Sequence, residues 1–399
     1  MSGCIGVINA GSSSVKFALC EASSDADTLF YGQVEGIGVS PRLNVKDAHG
    51  DTLIERTWPA EGFNHDAATR EILTTAGGLI SGTPVIGIGH RVVHGGMEFD
   101  RPVRVDRDVL AALERLEPLA PLHQPHNLAP IRTILDAAPH MPQVACFDTA
   151  FHRTQQHVAQ SFALPRRLTD AGVRRYGFHG LSYEYLASRL RELCPEIASG
   201  RIILAHLGNG ASLCAIKAGR SVASTMGFTA VDGLMMGTRC GALDPGVILY
   251  LMREHQMDAA AIEDLIYRKS GLLGVSDISS DMRALRASSD PTACEAIALF
   301  VYRIIRETGS LVAALGGIDA FVFSGGIGEN DVATRTEVIE GCGWMGAVLA
   351  PDRNARGEGR ISADTSSIPV WVVPTDEERL IARQTMRVLE SDSIAGSGV

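Results

Sequence analysis

The chain has 399 residues, 45% hydrophobic, 21% charged and 6% aromatic, which predicts two or three domains of a globular α/β protein. A net charge of −10 without any Lys/Arg-rich run argues against binding to nucleic acid or to an anionic membrane surface. No run approaches the roughly 20 apolar residues of a membrane span, and the start MSGCIGVINAG lacks a signal-peptide pattern, so we expect a cytoplasmic protein.

Apolar runs along the chain predict short strands that alternate with helices. The predicted strands lie at 5–9, 15–19, 85–89, 144–147, 202–207, 213–216, 320–324 and 369–373. The predicted helices lie at 109–116, 181–193, 259–267, 294–314 and 377–389. This alternation predicts a layered α/β architecture. The Ser/Gly-rich end of the chain, SDSIAGSGV, is expected to be poorly ordered.

The eight cysteines never form C-x-x-C pairs, and most lie in apolar runs such as VACF at residues 144–147. We therefore expect buried free thiols, with disulfides or a zinc knuckle as the less favoured alternatives.

The first predicted strand breaks early into small residues, in the stretch VINAGSSSVKF at residues 7–17. Small side chains let backbone N–H groups and hydroxyls approach an anion, which favours a phosphate-binding loop. The P-loop motif is absent, and the chain resumes as a strand with Lys16, whose charge would lie beside the loop. An ordinary hairpin turn is the alternative.

Two later segments also combine a strand with a turn of small residues. IILAHLGNGASLCAI, at residues 202–216, is a strand, a turn and a returning strand. AFVFSGGIGEN, at residues 320–330, runs from a strand into glycines before the helical pattern of DVATRTEVIEG. Three such turns at strand ends favour an ATP site. The repeated strand–turn–strand pattern indicates a duplicated fold only weakly, because it is also common by chance.

Cationic and histidine side chains gather in other glycine-rich segments, for which we expect loop-like settings. These are GHRVVHGG with His90, Arg91 and His94, PLHQPHN with His123 and His126, RRYGFHG with His179, and MMGTRCG with Arg239. The histidine spacings allow a zinc site, but the surrounding Gly and Pro disfavour the helix that such a site needs. Arg91, His179 and Arg239 suit phosphoryl transfer, which requires cations around the equatorial oxygens.

Two carboxylates follow predicted strands and are candidates for holding Mg²⁺. Asp148 ends the apolar run VACFD, and Glu377 follows the last predicted strand in VVPTDEE. Binding sites form at the carboxyl ends of parallel strands. A turn former or a helix cap is the alternative for an aspartate in this position.

Eight motifs together resemble the acetate kinase family over residues 4–387. In order they are NAGSSSVKF, GHRVVHGG, FDTAFH, YGFHG, HLGNGAS, GLMMGTRCG, SGGIGEN and TDEE. The family belongs to the acetate and sugar kinase, chaperone ATPase and actin superfamily. The resemblance implies an α/β fold of two duplicated ribonuclease-H-like (actin-like ATPase) domains with a nucleotide cleft between them. Residues 1–150 plus 376–399 would carry the first phosphate loop and the acyl site, and residues 151–375 the second phosphate loop and the adenosine site.

The resemblance also implies roles for individual residues. The catalytic residues would be Asp148, His179 and Arg239. The acyl-substrate site would consist of Arg91, Val93, Leu122 and Phe178, and the magnesium-supporting residues would be Asn9 and Glu377. The ATP-binding residues would be Ser12, Ser14, Lys16, His206, Leu207, Gly208, Asn209, Gly210, Asp281, Met282, Arg283, Gly326, Ile327, Gly328, Glu329 and Asn330.

The implied reaction is reversible transfer of the ATP γ-phosphoryl group to acetate, giving acetyl phosphate and ADP, with Mg²⁺ or alternatively Mn²⁺. A carboxylate with a pKa of roughly 4 to 5 is already a nucleophile at neutral pH, so the reaction needs no general base. The family also suggests a homodimer. Three alternatives stay open: a propionate kinase of the same family, a sugar kinase, and an actin- or chaperone-like ATPase without an acyl acceptor.

The sequence departs from the family pattern at two positions. Ala230 replaces a proline that helps to wall the acyl pocket, which leaves the choice between acetate and propionate open. Ala242 replaces an aspartate, which removes one carboxylate near Arg239 and leaves open how that arginine is held.

Overall fold

The computed structural model describes residues 3–11, 13–80 and 82–396. The chain divides into two compact units, Met1–Phe151 with Asp376–Val399, and His152–Thr375. These divisions fall within one residue of the domain limits expected from the sequence.

An eight-stranded sheet forms the centre of the first unit. Its strands are β1 (Cys4–Ala10), β2 (Val15–Glu21), β3 (Thr28–Glu35), β4 (Arg42–Asp47), β5 (Thr52–Thr57), β6 (Val85–Val92), β7 (Val103–Arg104) and β8 (Gln143–Phe147). They lie in the order β5-β4-β3-β2-β1-β6-β8-β7. Strands β1 to β5 pair antiparallel in sequence, β6 pairs parallel with β1 and with β8, and β7 closes the edge antiparallel to β8.

Three helices belong to the same part of the chain: α1 (His65–Leu79), α2 (Arg107–Glu114) and α3 (Gln124–Ala137), with a 3₁₀ turn at Glu117–Leu119. Side-chain caps fix the starts of the first two. Asn64 accepts a bond from the N–H of Ala67 at 3.0 Å, and Asp106 accepts one from that of Val109 at 2.8 Å. The apolar core lies between sheet and helices, with Phe17, Leu43 and Ile72 among its buried side chains.

The second unit has a six-stranded sheet of β9 (Arg201–Leu207), β10 (Ala211–Lys217), β11 (Arg220–Ser224), β12 (Ala320–Ser324), β13 (Gly359–Arg360) and β14 (Val370–Val372). Its order is β11-β10-β9-β12-β14-β13. Strand β9 pairs antiparallel with β10 and parallel with β12, β12 pairs parallel with β14, and β13 is antiparallel to β14. This is the order and direction of β3-β2-β1-β6-β8-β7, so the two units repeat one topology.

The helices of the second unit are α4 (His157–Gln160), α5 (Arg166–Asp170), α6 (Gly180–Leu193), α7 (Pro195–Ala198), α8 (Pro245–Glu254), α9 (Ala259–Arg268), α10 (Gly271–Ser276), α11 (Met282–Ala287), α12 (Pro291–Leu315), α13 (Gly325–Asn330), α14 (Val332–Gly341) and α15 (Pro351–Arg356). Further 3₁₀ turns lie at Ala150–Thr154 and Gly343–Met345. The longest helix, α12, begins at the Asp290 cap and ends at Gly316, whose φ of 70° is left-handed.

The chain then returns to the first unit as helix α16 (Glu377–Gly396). This helix crosses β6 at two glycines. A Cβ atom at Gly87 would lie 2.6 Å from Leu389, and one at Gly89 would lie 2.5 Å from Ile381. Only glycine therefore allows this close approach of helix and strand. The expectation of a poorly ordered end was wrong for residues 391–396, which are helical, while 397–399 lie outside the described residues.

The eight strands predicted from the sequence are confirmed, with ends that move by at most three residues. The five predicted helices are also confirmed. All eight cysteines are free, as expected, and six are buried, but Cys240 is half-buried and Cys294 is exposed on α12. Within the described ranges, no helix is both long and apolar enough to span a bilayer.

Three histidines are buried. They are His90, His94 and His152, and each is at most 1% exposed. Burial lowers the pKa of each to about 4, because desolvation disfavours the charged imidazolium. In the unfolded chain a histidine takes up its proton near its ordinary pKa of 6.5. The folded protein is therefore stabilised above that pH and loses this stabilisation as the pH falls toward 4.

We expect the free energy of unfolding to fall between pH 7 and pH 4.5. His90→Met should lose about 2–3 kcal/mol less than the wild type across this interval, because the titrating ring is gone. Urea unfolding at the two pH values measures the difference. The exposed His49 provides the control, and His49→Met should follow the wild type. An equal loss in wild type and His90→Met would contradict the prediction.

Candidate active site

The first small-residue loop joins β1 to β2 as a tight hairpin. The N–H of Gly11 donates to the carbonyl of Ser14 at 2.7 Å, and Asn9 pairs across the hairpin with Lys16. Nε2 of His65 contacts the carbonyl of Gly11 at 2.7 Å and ties the loop to the start of α1. Lys16 is exposed on the returning strand, where the sequence predicted it. Ser12 lies outside the described residues, and Ser14 is half-buried.

Arg91 is the centre of a polar cluster in the first unit. Its Nη2 lies 2.6 Å and its Nε 3.1 Å from Oδ2 of Asp148, and Nη1 donates to Oδ1 of Asn9 at 3.2 Å. Oε2 of Glu377 lies 3.9 Å from Nε. The expectation of a loop setting for Arg91 was wrong, because the residue lies within β6, paired with Cys146 of β8. Three other predicted site residues therefore meet around the Arg91 guanidinium.

The charges of this cluster are unequal. Asp148 is 1% exposed and Glu377 16%, so two nearly buried carboxylates share one arginine. Burial would lower the pKa of Arg91, but Asp148 and Glu377 outweigh it and raise that pKa. Burial raises the pKa of Glu377 to about 7, and Asp148 and Glu378 add to the rise while Arg91 opposes it. With both carboxylates ionised, the single positive charge of Arg91 would not balance their two negative charges.

The predicted acyl wall is apolar where the structure describes it. Val93 is 3% exposed, Leu122 is half-buried, and Phe178 of the second unit is 2% exposed. Asn127 of α3, which the sequence analysis did not identify, accepts a bond from the N–H of Val93 at 2.8 Å and donates to the carbonyl of Ala10. It therefore ties the first hairpin to the backbone at Val93. In its segment PLHQPHN, the sequence analysis singled out only the two histidines and Leu122.

In the second unit, His179 lies immediately before α6 with a φ of 57°, in the left-handed region. Its Nδ1 is 2.8 Å from Oγ of Ser212, and its ring stacks on that of His206 at 4.4 Å. Nδ1 of His206 in turn lies 2.8 Å from Oγ of Ser182. Strand β9 and its partner β10 thus place both predicted histidines side by side.

Arg239 is held by backbone and sulfur atoms. Its Nη1 donates to the carbonyl of Ala230 at 3.0 Å and lies 3.6 Å from Sδ of Met236. A Cβ atom at Gly210 would lie 3.3 Å from Nε2 of His179 and 3.9 Å from this Nη1. Glycine at position 210 therefore keeps open the space that the His179 and Arg239 side chains border. The N–H of Ala242 donates to the carbonyl of Gly233 at 2.9 Å. This bond is made by the backbone and does not involve the side chain at position 242.

The second and third small-residue turns adjoin one another. The N–H of Gly208 donates to the carbonyl of Gly210 at 3.1 Å, and a Cβ atom at Gly208 would lie 3.9 Å from the amide nitrogen of Gly326. Gly325 has a φ of 77° and lies against the backbone of Leu207, where a side chain would not fit. Asn209 is exposed and accepts a bond from the N–H of Gly237 at 3.0 Å.

The segment SGGIGEN is helical, since α13 begins at Gly325 and includes Ile327 and Gly328. Oε1 of Glu329 accepts bonds from the N–H groups of Gly325 at 2.8 Å and Thr375 at 3.3 Å. Asn330 donates to the carbonyl of Gly326 at 2.9 Å. The side chains of Glu329 and Asn330 therefore stabilise α13, where the sequence predicted a turn.

The remaining predicted ATP-binding segment begins α11. Asp281 caps this helix through the N–H of Arg283 at 2.9 Å and forms an ion pair with the same residue at 2.6 Å. Bonds from Arg283 lower the pKa of Asp281. Met282 is buried, whereas the guanidinium of Arg283 is exposed. Across the described ranges, no three His, Cys, Asp or Glu side chains form a metal-binding group by themselves.

Comparison with known proteins places the whole chain among acyl-phosphate-forming kinases by similarity. Residues 4–383 match the model described as "Acetokinase family". A protein named acetate kinase from Rhodopseudomonas palustris is 54% identical over 98% of this chain and 99% of its own length. The crystal structure of Porphyromonas gingivalis acetate kinase covers 97% of this chain and 100% of its own, at 40% identity and a TM-score of 0.87. A propionate kinase from Francisella tularensis covers the same shares, at 33% identity and a TM-score of 0.89.

The unequal charge around Arg91 predicts a stabilising substitution. The pKa of Glu377 is raised from 4.5 to about 7, so its contribution to stability is present below pH 4.5 and is lost as the pH rises to about 7. Glu377→Gln stays neutral, and above pH 7 we expect it to be about 1–3 kcal/mol more stable than the wild type. Chemical unfolding at pH 4.5 and pH 8, in EDTA, measures the difference.

At pH 4.5 the Glu377→Gln variant and the wild type should be nearly equal in stability. Glu61 is exposed, so Glu61→Gln should show no difference that grows between the two pH values. A Glu377→Gln variant that is less stable than the wild type at pH 8 would contradict this account of the cluster.

Proposed function

The chain belongs to the acetokinase family, and from that premise we propose that it transfers the γ-phosphoryl group of ATP to acetate. The products are ADP and acetyl phosphate, and the reaction is reversible. The observation that carries the proposal is the Arg91 guanidinium held on one edge by the buried Asp148. Such a fork is built to receive a planar carboxylate.

Arg91 would bind the carboxylate of the acyl substrate, with Val93 and Leu122 beside its alkyl end. Because an acetate-like acid is already ionised at neutral pH, Asp148 has no proton to remove. Its two oxygens instead fix the guanidinium, which positions the substrate oxygen for in-line attack on the phosphorus. The leaving group is ADP, so bond formation and cleavage balance without a covalent enzyme intermediate.

His179 and Arg239 would stabilise the charge of the transferring group. Both border the space that Gly210 leaves open, and the Ala230 carbonyl holds the Arg239 side chain in that position. The first hairpin with Lys16 and the second with Asn209 would bind the phosphates of ATP. The Asp281 segment and the turn at Gly326 would bind the rest of the nucleotide.

Asn9 and Glu377 fit a role in holding Mg²⁺, with Mn²⁺ as the alternative. Mg²⁺ needs only one or two protein oxygens, since waters and phosphates complete its coordination. Burial is the main cause of the raised pKa of Glu377, and a cation bound beside this carboxylate would favour its ionised form. When bound, the ion would neutralise the phosphate oxygens during transfer. Glu377 would then be held ionised at neutral pH.

A propionate kinase is the second candidate within the family. Ala230 stands where the family pattern has proline, and the chain resembles the Francisella propionate kinase over its whole length. An actin- or chaperone-like ATPase is the alternative from another class, but its reaction would not need the Arg91–Asp148 arrangement.

We also propose a homodimer. Helix α8 supports it, because all ten of its residues are exposed or half-buried and include Leu249, Tyr250 and Met252.

The protein should form a hydroxylamine-trappable acyl phosphate from Mg·ATP and acetate. Arg239→Ala should lower kcat by about 10³ or more, because it removes a cation from the transferring group. A colorimetric hydroxamate assay measures both. The surface substitution Arg268→Ala serves as the control and should keep wild-type activity. ATP turnover that does not respond to the carboxylate would support the ATPase alternative, and a loss below tenfold would exclude Arg239 from catalysis.

Ala230→Pro should reduce kcat/KM for propionate several-fold more than for acetate. The proline ring would refill volume that only the longer acyl chain reaches, and one methylene in such a pocket changes discrimination by about 1–3 kcal/mol. The bond from Arg239 uses the carbonyl of residue 230, which proline retains. Steady-state assays with both acids on both proteins measure the ratio. An unchanged ratio would show that residue 230 does not line the acyl pocket.

A further inference from the structure

Two buried hydroxyls stand behind the imidazole of His179. Oγ of Ser212 lies 2.8 Å from Nδ1 of His179, and the same oxygen is hydrogen-bonded to Oη of Tyr183. Ser212 and Tyr183 are both 0% exposed. The nitrogen on the other side of the ring, Nε2, lies near Gly210 and the Nη1 atom of Arg239. One edge of the ring thus meets a hydroxyl chain and the other meets the candidate reaction space.

The direction of this chain follows from its proton inventory. Burial raises the pKa of Tyr183 well above its usual value, so the phenol keeps its proton. His206 makes a backbone bond to the phenol, and Oγ of Ser212 is the side-chain partner of Oη, so the phenol proton is placed on the bond to Ser212. Ser212 then has its own proton to donate, and Nδ1 of His179 is the acceptor that lies within reach.

The surroundings also favour a neutral ring. His179 stacks on His206 with centroids 4.4 Å apart, and Arg239 borders the same open space. A positive charge on His179 would be disfavoured by the Arg239 cation beside it. A neutral imidazole that accepts at Nδ1 must carry its proton on Nε2.

We propose that Ser212 and Tyr183 are positioning residues that hold His179 as the Nε2–H tautomer, with this N–H directed at the transferring phosphoryl group. The catalytic use of that N–H rests on the proposed function, whereas the tautomer itself does not. Ser212 fixes the ring by donating to Nδ1, and Tyr183 fixes Ser212 by occupying its acceptor side. His179 is then a fixed hydrogen-bond donor beside the Arg239 cation.

Nitrogen-15 NMR of the full-length protein labelled in its histidine rings tests the tautomer directly. In the wild type, His179 should show a protonated Nε2 and an unprotonated, hydrogen-bonded Nδ1. Ser212→Ala removes the donor, and Tyr183→Phe lets the Ser212 hydroxyl rotate, so both should move the two signals toward a mixture of tautomers. Both should also lower kcat about three- to tenfold, the usual effect of one hydrogen bond, with KM for ATP and acetate within about twofold.

Ser182→Ala is the matched control, because Ser182 makes the same 2.8 Å contact to Nδ1 of the stacked His206. It should change the signals of His206 and leave those of His179 in place. A wild-type His179 protonated at Nδ1, or unchanged His179 signals in both Ser212→Ala and folded Tyr183→Phe, would overturn the proposal. The NMR result stands whether or not acyl phosphate is formed, so failure of the proposed function would be recognised separately.

Discussion

The ion pair between Arg91 and Asp148 is the interaction on which the polar cluster of the first unit depends. Burying an unpaired carboxylate costs free energy, because the charge loses its hydration, and the same holds for an unpaired arginine. Each is placed by parallel strands, since Arg91 lies in β6 and Asp148 follows β8, with the N–H of Asp148 bonded to the carbonyl of Val92. The sheet therefore sets the guanidinium plane, and Asn9 from β1 completes its support.

The two units use one topology for different chemistry. In each, the first two strands form a hairpin of small residues, and the central strands run parallel beyond it. In the first unit the end of this sheet carries an arginine between two carboxylates. In the second it carries two stacked imidazoles on β9 and before α6, with Ser212 of β10 behind one of them. Duplication supplied the loops, and the side chains around them diverged.

Sequence patterns were most informative where a segment is buried throughout. Strands β8 and β12 are buried at every position, and their apolar runs were recognised. Strands β3 to β5 were missed because their polar residues face outward; β5 has no buried residue among its six described positions. The candidate site residues were named from the family motifs. Asn127, Ser212 and Tyr183 were missed, because their contacts join positions about 30 to 120 residues apart. Spacing along a chain holds no signal for such bonds.

Helix α16 has a consequence for how the protein is made. The ribosome completes β1 to β8 early, yet this sheet lacks the helix that lies on Gly87 and Gly89 until about 230 further residues have been synthesised. That helix begins with Glu377, so the same event that covers the sheet also delivers the last carboxylate beside Arg91. An incomplete nascent chain therefore exposes an apolar sheet face and lacks a finished polar cluster. Emergence of helix α16 from the ribosome is therefore the step that both covers this sheet and completes the polar cluster.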